Sequence, residues 1–345
     1  MVKKYFYVSL LFATILMAGC NMGPKVNFVE KSDRIDVMVN EKLLTSYLYG
    51  GTHHKILPDK DPYDVDGGFL AKPILFPILS PSGNVVTRGY PLVEVEGEST
   101  DKAHHAGLSF TYGSNAEVNG NEFWSTTSSG GSEIKHIKTT KIQPGVGKGE
   151  LDTISHWIDK KGKVLLQEDR KMTFYPGQDE YIIDFSIDLT AQDEKVVFKD
   201  TKEGMFAIRV APWLRETPME GSGIPATGEF LSSNGERTSK DVWGYRAKWM
   251  RLQGTKDGKI TGIAILDHPS TVNYPSYWHA RWYGLFAANS IGQHHFWDEN
   301  RQSPPPFNFT LQPGESGHFG YRVIIYDGDR TSEYFEQQFK DFAKK

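Results

Sequence analysis

The sequence predicts an all-β protein, a large antiparallel sandwich closed by one short C-terminal helix. Three observations carry this reading. Period-two alternation recurs along the chain, tight-turn residues bound each alternating run, and helical periodicity is convincing only at the end. Composition agrees, since 13% aromatic residues with 34 glycines and 18 prolines suit many short strands joined by turns.

The first run is Arg34 to Val39, stopped by Asn40-Glu41. Lys163 to Gln167 follows Lys160-Lys161-Gly162, and Tyr181 to Leu189 follows Pro176-Gly177. In the latter run Ile183, Phe185, Ile187 and Leu189 share one face, while Asp184, Ser186 and Asp188 share the other, the pattern of a sheet with one wet side. Tyr321 to Tyr326 ends at Asp327-Gly328. From Ser332 to Lys345, Tyr334, Phe335, Phe339 and Phe342 recur every three to four residues, which predicts the helix. Residues 221–228 and 232–235 read as surface loops, and Pro304-Pro305-Pro306 as an edge or loop segment that cannot pair inside a ladder. No Pro- or Ser-rich linker divides the chain, so one domain over 27–345 is expected, with its strands over about 27–330.

The N-terminus reads as a signal segment. Lys3 and Lys4 precede an apolar run from Tyr5 to Met17. Leu16-Met17-Ala18-Gly19-Cys20 then matches the lipobox of bacterial lipoproteins, so residues 1–19 are expected to be removed and Cys20 lipidated. Residues 20–26 would be the tether. Asn21 rather than Asp after the cysteine does not signal inner-membrane retention, which points to the outer membrane of the cell envelope. Cys20 is the only cysteine, so no disulfide can staple the fold. A net charge of −4 offers no basic field for nucleic acid, and no later run is long and apolar enough to span a bilayer as a helix. Contact with the membrane is therefore expected through the lipid anchor alone.

Chemistry concentrates in histidine-bearing clusters. Asp267-His268 closes the apolar run Gly262 to Leu266, and Tyr277 to Phe286 adds His279, Arg281 and five rings. Such a mixture suits the wall of a polar, ring-shaped ligand, with Trp278 and Trp282 stacking and Asp267, His268 and Arg281 holding oxygens. His104-His105, with Glu122 downstream, forms a second cluster, and Gln293-His294-His295 a third. His53-His54, Lys72 and Arg88 form a fourth. Histidine exchanges protons near neutral pH, so His105 and His279 are the expected acid and base, with Arg281 beside them and Arg88 and His104 on the substrate. A divalent metal would need His104, His105, His268 and His279 to converge, because no metal-ligand spacing such as HExxH is present.

Several blocks also carry a family resemblance: Lys72 to Gly83, Val86 to Gly89, His104 to Leu108, Glu203 to Arg209, Ile265 to Pro269 and Trp278 to Asn289. In this order they resemble the secreted bacterial proteins labelled "PmoA-like" or "methane oxygenase PmoA", a domain of unknown function. Ala106 departs from that pattern, where an arginine would follow the histidine pair. The oxygenase label itself conflicts with the chain, since a methane oxygenase membrane subunit needs several long apolar spans. The block order also resembles galactose-mutarotase-like proteins, which implies a β-supersandwich that binds sugar on a concave face. Together these readings imply an envelope-anchored carbohydrate-active enzyme acting on a glycoside or sugar derivative by hydrolysis, elimination or epimerisation. The alternative is a non-catalytic carbohydrate-binding lipoprotein of a glycan-uptake system.

Overall fold

A computed structural model describes residues 23–51, 54–57, 68–125, 131–296 and 304–345. The signal segment and Cys20, like His53, lie outside them. Strands repeat because alternating side chains can bury one row and wet the other, and strands are the dominant regular element of the described residues.

One sheet has nine strands, β1 (Lys25–Glu30), β2 (Arg34–Val39), β3 (Lys42–Leu48), β4 (Ile74–Ile78), β5 (Leu108–Tyr112), β7 (Gly145–Val146), β12 (Gly204–Arg209), β16 (Tyr277–Ala280) and β17 (Leu285–Asn289). They lie side by side as β16-β17-β12-β5-β4-β3-β2-β1-β7. The second has eight, β6 (Glu133–Gln143), β8 (Gly149–Ile158), β9 (Val164–Pro176), β10 (Glu180–Ala191), β13 (Glu229–Ser232), β14 (Trp249–Lys256), β15 (Lys259–Asp267) and β19 (Ser316–Asp327). Their order is β13-β14-β15-β19-β10-β9-β8-β6. A small ribbon pairs β11 (Val196–Phe198) with β18 (Phe309–Leu311). Neighbours run antiparallel throughout, as in β9–β10 and β10–β19.

The two large sheets bury one core between them. Phe206 of the first stacks on Tyr321 of the second with ring centroids 4.4 Å apart, and Phe110 meets Phe319 at 5.2 Å. β10 follows the expected alternation, with Ile183, Phe185, Ile187 and Leu189 buried and the intervening Asp and Ser partly exposed. A charged pair is sealed inside: Glu168 accepts from Trp157 Nε1 at 2.9 Å and from Arg170 Nε at 2.8 Å.

The helix α2 (Ser332–Phe342) is the one expected, capped by Thr331, whose side chain accepts from the Tyr334 N–H. Phe335 and Phe342 bury against Trp249, Leu266, Ile324 and Tyr326 on the outer side of the eight-stranded sheet. A single-turn helix α1 (Ser239–Val242) precedes β14. The segment 304–308 forms no strand, in keeping with its prolines. One boundary shifts: Lys25 and Val26, read as tether, belong to β1, and Val26 is fully buried because β1 pairs with both β2 and β7. Among the described residues no helix is long and apolar enough to cross a membrane.

Candidate active site

The site grows from the outer face of β16, β17, β12 and β5. Period two sends Trp278, Phe286, Phe206, Ile208 and Phe110 inward to the core. The alternate residues His279, Leu285, Ala287, Ala207, Arg209 and Ser109 therefore face away from it. Ala207, Ala287 and Ser109 are small, which leaves a low floor for the segments that cover it.

The first covering segment runs through 99–107. It ends on Gly107 with φ +55, where a Cβ would stand 2.6 Å from the Leu75 carbonyl oxygen, so only glycine fits. Arg88 binds this segment from below. Its guanidinium donates to the carbonyls of Ser99, Asp101, Lys102 and His105 at 2.9–3.3 Å. Lys72 does the same from the side, its ammonium donating to the His104 carbonyl at 2.9 Å and to that of Trp124. Both cations are almost wholly buried, Arg88 at 2% and Lys72 at 1% exposure.

This scaffold holds His104 and His105 edge to face with centroids 4.2 Å apart. Trp124 stands 5.8 Å from the His105 ring, and Tyr283 stacks over it at 6.1 Å. Arg209, at the end of β12, packs under Tyr283 at 4.4 Å and reaches His105 Nδ1 with Nη1 at 3.3 Å. A guanidinium only donates, so His105 Nδ1 accepts and the proton resides on Nε2. Burial, then the neighbouring His104, Arg209 and Arg88, hold the His105 imidazole well below its usual range, in the neutral form. Burial with Lys72, Arg88, Arg209 and Lys102 pushes His104 down to about 3.

His279 is arranged by the same rule. Arg281 Nε donates to its Nε2 at 3.0 Å, which leaves the proton on Nδ1, directed at the Lys202 carbonyl 3.1 Å away. Burial first, and Arg281 second, keep this ring neutral too. Glu203 Oε2 lies 3.8 Å from Nδ1. Beyond Arg281 opens a cleft of about 780 Å³ lined by Trp243, Tyr245, Lys240, Asp241, Arg281 and Trp282. Trp282 is 50% exposed, with the Arg215 guanidinium 5.5 Å from its ring centroid.

The expected residues thus separate into three places. His104, His105, His279, Arg281 and Trp282 gather on the outer face around Tyr283. Arg88 is near them but spends its donors on backbone carbonyls, so it positions the histidine segment and does not present its guanidinium to substrate. The other three expected binders lie elsewhere. Trp278 is fully buried in the core, its indole N–H donating to the Ala247 carbonyl at 3.0 Å, because it alternates with His279. Asp267 is fully buried at the end of β15, accepting from the Ser276 N–H at 2.7 Å, and burial pushes its carboxyl up to about 7. His268 packs edge-on against Phe342 of the C-terminal helix at 4.8 Å and bonds Ser270 at 2.6 Å.

A four-histidine metal site is accordingly not assembled, and among the described residues no group of three or more His, Cys, Asp or Glu could hold a metal ion. The sequence reading gave no individual role to Trp124, Arg209 or Tyr283, although Tyr283 is among the five rings of the segment Tyr277 to Phe286. An arginine closing the otherwise apolar run Gly204 to Ile208 was the available signal for Arg209. His54 bonds the Asp33 carbonyl at 2.8 Å, and His294 that of Pro304 at 2.8 Å, outside the His105 cluster.

The chain belongs to the family of unknown function DUF6807, whose model matches residues 34–340. That description carries no activity and does not include the PmoA label. A search of curated proteins finds no match. Among solved structures the chain is similar to a GH36 α-galactosidase from Geobacillus stearothermophilus, at 11% identity and TM-score 0.39, covering 88% of this chain and 41% of that one. It is also similar to a galactose 1-epimerase from Lactobacillus acidophilus, at 9% identity and TM-score 0.36, covering 89% and 100%. A galactose mutarotase-like protein from Clostridium acetobutylicum matches at 8% identity and TM-score 0.35, covering 88% and 98%. The chain therefore spans under half of the α-galactosidase and nearly all of the other two. Likenesses this distant carry no activity across.

Proposed function

We propose that this protein is a carbohydrate-active enzyme, held at the cell envelope by a lipidated Cys20, that acts on a glycoside or sugar derivative at His105. The observation that carries the reading is the half-exposed Trp282 ring beside a cleft of mixed charge, joined through Tyr283 to the buried His105. An indole face receives the C–H face of a pyranose, and the charged rim addresses its hydroxyls.

Proton exchange between His105 and His279, the sequence expectation, is at odds with the geometry. An arginine occupies the lone pair of each imidazole, so neither is poised as a base. His105 instead presents Nε2–H, polarised by the guanidinium behind it. A neutral imidazole in this state stabilises an oxygen that gains negative charge. Hydrolysis develops that charge on the leaving oxygen, and elimination or epimerisation beside a carbonyl on an enolate. Glu203, next to His279, and Glu122, next to Lys72, are the carboxylates available to move the proton.

The engaged lone pairs also favour a second reading, a sugar-binding lipoprotein without turnover. A panel of oligosaccharides assayed for both binding and conversion separates the two. Loss of conversion with retained binding in His105→Ala supports the enzyme. Binding without conversion by the wild type supports the second reading, and a panel without a single binder rejects both. The anchor is checked by Cys20→Ala, which should release the protein from the membrane fraction.

A further inference from the structure

Between His104, His105, Trp124, Ser109, Ala207 and Arg209 lies a niche of about 10 Å³, close to the space that one water oxygen needs. Two of its lining side chains carry a buried N–H with nothing to donate to among the described residues. Arg209 is 2% exposed, and its Nε has no hydrogen-bond partner among the described residues. The Trp124 indole N–H is likewise buried and unpartnered. His105 adds Nε2–H, since Arg209 fixes its tautomer. Three of the residues lining one oxygen-sized space thus each carry an N–H group with no partner among the described residues, and a buried donor left unpaired is costly.

The charge around the niche is also unbalanced. Asp101 is 3.5 Å from Arg88 and 2.5 Å from Lys102, so one carboxylate already serves two cations. Arg209 has no carboxylate within ion-pair distance among the described residues; its polar contacts are His105 Nδ1 and Ser99 Oγ. Water in the niche would satisfy a donor but leave the positive excess in place. An anionic oxygen answers both needs at once.

We infer that the saccharide is acidic, a uronate sugar whose carboxylate places one oxygen in the niche between His105, Trp124 and Arg209. This rests on the saccharide reading above. A carboxylate suits the niche better than a sulfate ester, because with one oxygen inserted it leaves a single oxygen to accommodate outside, where the tetrahedral sulfate leaves two and its ester oxygen.

The test is calorimetric titration of the full mature protein at low salt with galacturonate and glucuronate oligomers, their neutral galactose and glucose counterparts, and a sulfated counterpart. A uronate oligomer should bind at least about tenfold tighter than its neutral match, the scale of one charged hydrogen bond. Trp124→Phe, which keeps the ring and deletes its N–H, should cut the acidic-to-neutral affinity ratio by about tenfold. Equal or tighter binding of the neutral oligomers overturns the acidic inference and leaves the saccharide reading standing. Preference for the sulfated oligomer overturns the carboxylate assignment. Failure of the whole panel overturns the saccharide reading itself.

Discussion

Lys72 offers a prediction whose size follows from its surroundings. Its ammonium is sealed beneath the histidine segment, bonded to the carbonyls of His104 and Trp124 and 5.5 Å from the Trp124 ring centroid. Burial pushes its pKa from 10.5 down to about 7, with Glu122 resisting part of that fall. Between those values the unfolded chain binds the proton and the folded chain does not, so stability rises with pH across the window. Below about pH 7 both states are protonated, and above about pH 10.5 neither is, so the slope vanishes outside it. Each pH unit inside contributes about 1.4 kcal/mol, and the full window about 5 kcal/mol. The substitution Lys72→Met keeps a long apolar stem and removes the titration. Urea denaturation of both proteins should therefore show the wild type gaining on the variant by about 3 kcal/mol from about pH 7 to about pH 9.5. A difference that stays flat would mean that the two carbonyls keep the ammonium charged, and the reasoning would fail. A difference that shrinks would refute its sign.

Other consequences are independent of Lys72. Asp267, raised from 3.8 to about 7 by burial, holds its proton in the fold where the unfolded chain has lost it. Stability therefore falls as pH rises through that window, and Asp267→Asn should gain on the wild type by about 4 kcal/mol between about pH 4 and about pH 7 in the same denaturation assay. Flat behaviour would show that the carboxyl is ionised. Glu168→Ala strands the buried Arg170 and the Trp157 N–H, and should cost about 3–5 kcal/mol by urea denaturation. A cost below about 1 kcal/mol would show that water reaches the pair. Trp282→Ala removes a half-exposed ring, so stability should change by no more than about 0.5 kcal/mol while saccharide affinity falls about tenfold. Unchanged affinity in titration calorimetry would move the ligand away from this cleft.

Much of the architecture was legible because sheet formation is a local pattern. Alternation in residues 181–189 announces one buried row and one wet row whatever the strand's neighbours, and β10 shows both. The repeat of Phe335, Phe339 and Phe342 likewise places a helix without knowledge of what it covers. The site was harder to read, because its residues are brought together by strand order. His105 and Arg209 are 104 residues apart and meet because β5 pairs with β12, a non-local choice.

Even within one short segment, sequence alone named the residues but not their surroundings. Asp267, His268, Trp278, His279 and Trp282 looked like one wall. The fold puts the first and third in the core, His268 under the C-terminal helix, and the other two on the outer face. Period two says that Trp278 and His279 must face opposite ways; it does not say which of those ways is the core. The sequence by itself thus determined the sheets, the terminal helix and the histidine-rich character of the site. Only the tertiary structure decided which imidazoles share a surface and which nitrogen of each carries the proton. That follows from hydrogen-bond direction, because an arginine that can only donate takes the lone pair of whichever histidine the fold sets beside it.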